Sequence, residues 1–274
     1  MQIAFTKMQA TGNDFIVIDG RDDPITLTSD HARGLADRRR GIGCDQIMLL
    51  SPPARSDTHF DYRIFNTDGS VAQQCGNGAR AVALFAQQHG LVADEIKMGS
   101  PAGVVRAQVQ ADGVQVDMGR ARFDAAAIPI DAPTTQPEYT LRINDKPVTF
   151  GAVSMGNPHA VLTVDDVDTE DLQNTGSALQ RHTFFPEGVN VGFMQVIDRA
   201  HIRLRVFERG VGETLACGTG ACAAVAIGHQ RGQLDNAVTV TLPGGRLVID
   251  LSGREDTVWL TGPANVVYEG IIRL

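Results

Sequence analysis

A run of fifteen residues, Phe65-Asn66-Thr67-Asp68-Gly69-Ser70-Val71-Ala72-Gln73-Gln74-Cys75-Gly76-Asn77-Gly78-Ala79, returns later in the chain with its cysteine in the same place. The second copy is Phe207-Glu208-Arg209-Gly210-Val211-Gly212-Glu213-Thr214-Leu215-Ala216-Cys217-Gly218-Thr219-Gly220-Ala221. A chain so built is a duplication, and it carries two matched thiols.

The register holds elsewhere. Cys75 and Cys217 are 142 residues apart, and so are Phe65 and Phe207, Gly90 and Gly232, and Pro101 and Pro243. Upstream, Gly12-Asn13 pairs with Gly156-Asn157, and Gln46 with Asn190, at a spacing of 144. Two copies of one domain of roughly 130 residues follow, too few and too long for a solenoid array. The expected division is residues 1–117 plus 263–274 around Cys75, and residues 118–262 around Cys217. The Ala- and Pro-rich stretch from Ala121 to Pro137 reads as the connection between them.

Bulk properties narrow the class. A net charge of −8, with no basic run longer than Arg38-Arg39-Arg40, argues against nucleic acid as a partner. The N-terminal residues lack a signal-peptide core, and no window approaches the ~18 apolar residues of a membrane span. Four cysteines in 274 residues do not make a disulfide scaffold, so a reducing cytoplasm is expected.

Short alternating runs closed by Gly, Pro or Asp predict strands at Ile3–Phe5, Phe15–Asp19, Ile47–Leu50, Asp61–Phe65, Glu95–Met98, Val104–Gln110 and Val114–Met118. One helix per half stands out, over Ala79 to Gln87 and Ala221 to Ile227. Both are apolar on nearly every side, and a helix without a polar face must be surrounded. Gly90 and Gly232 sit where these helices should end. The predicted class is α+β: two pseudo-symmetric domains, each a curled, mostly antiparallel sheet around a buried central helix, with the active site in the cleft between them. A last strand over Val266 to Leu274 is expected to return to the first domain.

Cys75 and Cys217 each precede Gly-x-Gly at the start of a buried helix. Amides of a first helical turn favour a thiolate and also bind anions. Duplicated halves usually face one another, so a sulfur from each could reach one ligand from opposite sides, as a two-base racemase needs. A carboxylate held by the amides of Gly76, Asn77, Gly218 and Thr219 would have its growing charge met by prearranged donors as an α-proton leaves. No cofactor is then required. A pyridoxal enzyme needs a Schiff-base lysine, and the only lysines, Lys7, Lys97 and Lys146, are remote from the glycine loops. Those loops match a dinucleotide fingerprint loosely, with Asp94 and Asp235 near the acidic position, but the strand that should enter the first glycine is missing. No metal site is expected, because no Cys-x-x-Cys occurs.

Thr11-Gly12-Asn13-Asp14-Phe15, Gly41-Ile42-Gly43-Cys44-Asp45-Gln46, Phe65 to Ser70, Cys75-Gly76-Asn77-Gly78-Ala79-Arg80, Gly156-Asn157-Pro158-His159, Val189-Asn190-Val191 and Ala216 to Gly220 together resemble the diaminopimelate epimerases, across nearly the whole chain. The resemblance implies interconversion of LL- and meso-2,6-diaminopimelate in bacterial lysine and cell-wall synthesis. It implies Cys75 and Cys217 as an alternating base and acid, and Glu208 on the reacting ammonium with Arg209 nearby. Asn13, Gln46, Asn66, Asn157, Asn190 and Arg209 would read the distal end of the substrate, and His159 would lie near a catalytic cysteine and help set its protonation.

Other readings remain open at this level. Cys44 and Cys222 read as small buried hydrophobes. A proline-racemase-like enzyme would share the cysteines but have no use for a row of amides, and a thiol redox protein would need neither the glycine loops nor Glu208. A homodimer through the terminal strand, with Tyr268 as anchor, competes with a strand simply covered by its own domain.

Overall fold

The computed structural model describes residues 2–92, 95–169, 171–252 and 257–273. Asp94 and Leu274 lie outside them. The chain divides into two compact units, Met1–Asp117 with Thr261–Leu274, and Met118–Leu260.

The first unit contains β1 (Gln2–Ala10), β2 (Asn13–Asp19), α1 (Ser29–Ala36), β3 (Gln46–Ser51), β4 (Phe60–Asn66), β5 (Val71–Ala72), α2 (Gly76–Gln88), β6 (Glu95–Ser100), β7 (Gly103–Gln110) and β8 (Gly113–Asp117). The second holds β9 (Tyr139–Ile143), β10 (Lys146–Ser154), β11 (Pro158–Thr163), α3 (Leu172–Gln180), β12 (Asn190–Asp198), β13 (His201–Glu208), β14 (Gly212–Thr214), α4 (Gly218–Gln230), β15 (Ala237–Leu242) and β16 (Gly245–Asp250). The chain passes back through β17 (Trp259–Gly262) to β18 (Asn265–Arg273) in the first unit.

The duplication is carried strand for strand. In the first unit β1 pairs antiparallel with β2, β2 parallel with β3, β3 antiparallel with β4, and β4 with both β5 (antiparallel) and β6 (parallel). In the second, β10 to β15 repeat this sequence of directions. The two units differ in how one sheet edge is closed: β9 pairs with β10, whereas the equivalent strand β1 takes β18, from Gln2 opposite Arg273 to Gln9 opposite Asn265. The last expected strand thus returns to the first unit.

Helices α2 and α4 are the central helices, longer at both ends than the apolar runs indicated. Ten residues of each are buried, including Ala81, Val82 and Ala83 in α2 and Ala223, Ala224 and Val225 in α4. Each ends in a Schellman motif. Gly90, at φ 67°, donates to Gln87 O while Leu91 donates to Ala86 O; Gly232, at φ 70°, donates to His229 O while Gln233 donates to Gly228 O.

Each unit also has a shorter second helix, α1 packed on β3 and β4 and α3 on β12 and β13. One expectation is corrected. The stretch 121–137 is not a connection: Ile128 and Ile130 are buried in the second unit's core with Phe150, Phe185 and Phe193, and Ala125 and Ala132 pack against them. The isoleucines of this stretch enter the core without regular strands, while Pro133 and Pro137 stay exposed. The chain leaves the first unit at Asp117, and its return begins at Thr261, two residues before the expected 263. No helix among the described residues is long and apolar enough to cross a membrane.

Candidate active site

Within each unit the topology gathers the candidate residues at one end of the sheet. Because β2 and β3 are parallel and β4 runs back against β3, the start of β2, the start of β3 and the end of β4 share an edge. Gln46 stands opposite both Phe15 and Asn66 in the ladder. Asn13, Gln46 and Asn66 therefore form a row, joined by a 2.9 Å hydrogen bond from Gln46 Nε2 to Asn66 Oδ1. Gln46 Oε1 is buried and accepts no hydrogen bond. Asn66 Nδ2 donates to Ser70 Oγ at 3.0 Å.

Cys75 is the N-cap of α2, extended at φ −151° and ψ 106°, and its sulfur accepts the Gly78 amide at 3.3 Å. The sulfur takes the place that a serine or aspartate oxygen fills in ordinary caps. On its other side the thiol donates to Asn13 Oδ1 at 3.9 Å. Gly76 and Asn77 follow as the first buried residues of the helix, where backbone amides have no acceptor within the helix. A Cβ at Gly78 would meet Met48 Cε at 1.9 Å, so a side chain there requires Met48 to move.

The second unit builds the same row from different groups. Asn190 opens β12 opposite His159, and Glu208 closes β13. Cys217 is the N-cap of α4, extended at φ −118° and ψ 109°, with Gly218 and Thr219 after it. Its thiol donates to Glu208 Oε2 at 3.0 Å and lies 3.6 Å from Thr219 Oγ1. Thr214 donates to the other oxygen of Glu208, a contact that sequence reasoning missed. Burial pushes the Cys217 thiol well above its ordinary range, and the charge and hydrogen bond of Glu208 push the same way, against smaller opposing effects of Thr219 and the Gly220 amide. The helix dipole alone, on which the expectation of a thiolate rested, does not decide the state of this sulfur.

His159 gives its ring nitrogen Nε2 to Asn157 Oδ1 at 2.9 Å, and Asn157 Nδ2 donates to Thr219 Oγ1 at 3.4 Å. Burial holds the imidazole down to about 3, with the Arg209 charge acting in the same direction, so the ring is neutral; it is linked to Cys217 through Asn157 and Thr219. Asn190 is buried, accepting from the Arg209 amide at 2.9 Å and donating to Pro158 O at 3.2 Å. The Arg209 guanidinium is exposed and held by Glu187 O at 2.7 Å.

Cys44 and Cys222 are buried, Cys222 inside α4. Sequence reasoning overlooked Arg80, a fully buried arginine on α2 that donates to Thr11 Oγ1 at 2.9 Å and to Pro263 O at 3.4 Å. Thr11 is a non-glycine residue of positive φ, at 51°, so Arg80 ties the cysteine helix to a strained turn just before Asn13. An arginine inside an apolar helix is the signal that was there to read.

The sequence model described as diaminopimelate epimerase matches residues 5–123 and 151–267. The chain belongs to the diaminopimelate epimerase family. It is 52% identical over 278 residues to a diaminopimelate epimerase of Alkalilimnicola ehrlichii, and 50% identical over 276 residues to one of Nitrosomonas europaea, in each case covering 100% of both chains. Family resemblance in the motifs is thus matched by identity over the full length. The fold reaches further than the diaminopimelate epimerases. A hydroxyproline epimerase from Agrobacterium vitis superposes with a TM-score of 0.71 at 16% identity, covering 99% of this chain and 92% of the other. A PhzF-family protein from Bacillus anthracis does so with 0.69 at 15%, covering 100% of both.

Proposed function

We propose that the protein is an isomerase that interconverts LL- and meso-2,6-diaminopimelate without a cofactor, in the bacterial cytoplasm, on the route to lysine and peptidoglycan precursors. The observation that supports this most is the contrast between the two N-cap sulfurs. Cys75 receives the Gly78 amide and its proton faces the neutral Asn13 Oδ1, which leaves it the readier base, while Cys217 gives its proton to the Glu208 carboxylate, which suits a thiol acid. In the two-base reading one sulfur removes the α-proton as the other delivers a new one, and the next turnover can run in reverse. The first-turn amides at Gly76, Asn77, Gly218 and Thr219 would hold the reacting carboxylate, and Glu208 the ammonium.

The amides of Asn13, Gln46, Asn66, Asn157 and Asn190, with the single cation of Arg209, fit a second zwitterionic end, since amides offer both donors and acceptors. A small cyclic amino acid has no second end for this row to read. A redox role has no use for Glu208, which is engaged by Cys217 and Thr214. The assay is stereochemical analysis of LL-diaminopimelate incubated with the reduced, purified protein, with and without chelator. Formation of meso product, indifferent to chelator and to added pyridoxal phosphate, supports the reading; no product, or a cofactor requirement, sinks it.

A homodimer through β18 is the second part of the proposal. Val266, Val267, Tyr268 and Ile271 are exposed on it, at 37%, 56%, 45% and 71%, and Tyr268 stands edge-on to Phe5 with ring centres 5.9 Å apart. An edge strand that bares apolar side chains is a ready docking surface.

A further inference from the structure

Behind Asn13 lies a cluster of charges with no part in proton transfer. Asp45 Oδ2 accepts Asn13 Nδ2 at 2.7 Å and the Asp14 amide at 3.1 Å. Asp14 returns the contact, its Oδ1 accepting the Asp45 amide at 2.9 Å. Arg38 bridges the two carboxylates, donating to both oxygens of Asp14 at 2.9 and 2.6 Å and to Asp45 Oδ1 at 2.8 Å. Lys7, itself buried, closes the set on Asp14 Oδ2 at 2.6 Å and on Gly43 O. Two cations and two anions balance, so the group carries no net charge behind the site.

Resting on the epimerase reading, we infer that Asp45, held by Arg38, Asp14 and Lys7, is a positioning residue that fixes the Asn13 amide in one orientation. A primary amide can turn over at little cost and exchange its donor for its acceptor. A carboxylate only accepts. Asp45 therefore draws the Asn13 NH2 group to itself and leaves Oδ1 facing the Cys75 sulfur, 3.9 Å away. Asp45 is in turn fixed by the main chain, because it precedes Gln46 at the start of β3 and its amide is bonded to Asp14 O at 3.0 Å. One clamp thereby sets the facing atom of Asn13 and the entry of the strand that carries Gln46. The second unit solves the same problem differently: the acidic group is missing there, and His159 holds the oxygen of Asn157 instead. The two units thus present opposite ends of equivalent amides, an acceptor at Asn13 and a donor at Asn157.

The test is a double-mutant cycle between Asp45→Asn and Asn13→Ala on the full chain, read as KM and kcat for diaminopimelate. Asp45→Asn keeps the shape but offers donors, which lets Asn13 turn. The expected result is a fall in kcat/KM of about tenfold, the worth of one hydrogen bond, carried mainly by KM, and no further loss when Asp45→Asn is added to Asn13→Ala. Arg38→Gln, at a residue with a largely exposed side chain, gives a second cycle if Asp45→Asn does not fold, and should show a smaller effect of the same kind. Equal losses in the presence and absence of Asn13, or an Asp45→Asn enzyme with wild-type KM, overturn the clamp while leaving the reaction standing. Wild-type protein that fails to epimerise diaminopimelate overturns both.

Discussion

Glu208 accepts the proton of Cys217 across 3.0 Å, whereas the residue at the equivalent place in the first unit, Asn66, bonds to Gln46 and Ser70. The duplication has therefore kept two sulfurs but given only one of them a carboxylate. Glu208→Gln keeps the volume and removes the charge that helps hold Cys217 as a thiol. The expected outcome is a Cys217 whose thiolate absorbance develops at lower pH, with epimerisation slowed on the order of 10²-fold, at the lower end of what a positioned acid or base contributes. A variant with wild-type thiol titration and rate would remove Glu208 from the proton path.

The separate acid and base also leave an isotopic mark. In deuterated water the new epimer should carry solvent deuterium from the first turnovers, while unreacted substrate remains protonated. Cys75→Ser and Cys217→Ser should each slow the reaction by roughly 10²–10⁴-fold, since a hydroxyl at the same place is a far weaker acid. Early product that retains the substrate hydrogen, seen by mass spectrometry, would point to one swinging base instead.

His159 is predicted to stay neutral throughout the working pH range. Its folded value is depressed to about 3, below the ~6.5 of an unfolded chain. Its contribution to stability is then fully present above about pH 6.5 and is lost as pH falls from there toward 3, because only the unfolded state gains the proton. Histidine NMR signals followed from pH 8 to 5 should show a His159 ring that does not titrate. A His159 signal with a midpoint near 6.5 contradicts the buried neutral ring.

Asn157→Ala and Arg209→Ala should raise KM for diaminopimelate, each by the roughly 1–3 kcal/mol of a lost hydrogen bond to a charged group. Unchanged kinetics in both would take them out of the substrate site.

Tyr268→Ala should shift the sedimentation of the protein toward the monomer at micromolar concentration. A wild-type chain that already sediments as a monomer rejects the dimer.

The parts of the fold and site that could be read from the residues are those that the duplication wrote twice. Cys75 and Cys217, the glycines behind them, and Gly90 and Gly232 at the helix ends each had a partner at a fixed spacing. The short outer helices had no such help. In α1 only Ala32, Leu35 and Ala36 are buried among charged neighbours, and in α3 the apolar pattern is interrupted by Gly176, whose bare backbone is needed because a Cβ would meet Phe207 at 2.7 Å. Lys7, Asp14, Arg38 and Asp45 could not be joined by inspection, because a network assembled from β1, β2, the loop after α1 and the approach to β3 has no sequence spacing to betray it. The state of Cys217 was hidden for a related reason: burial and a neighbouring carboxylate outweigh the helix terminus, and neither is visible in a motif.

The loan of β18 to β1 sets an order of assembly during synthesis. Residues 265–273 leave the ribosome only after all of Met118–Leu260, so the second unit can close its sheet with β9 while the edge of β1 still waits for its partner. Domains generally fold as their residues emerge, and an unpaired edge is an invitation to wrong pairing in the interval. The half that carries Cys75 is thus the first to be translated and the last to be finished, and the two sulfurs come into being at different times in the life of the nascent chain.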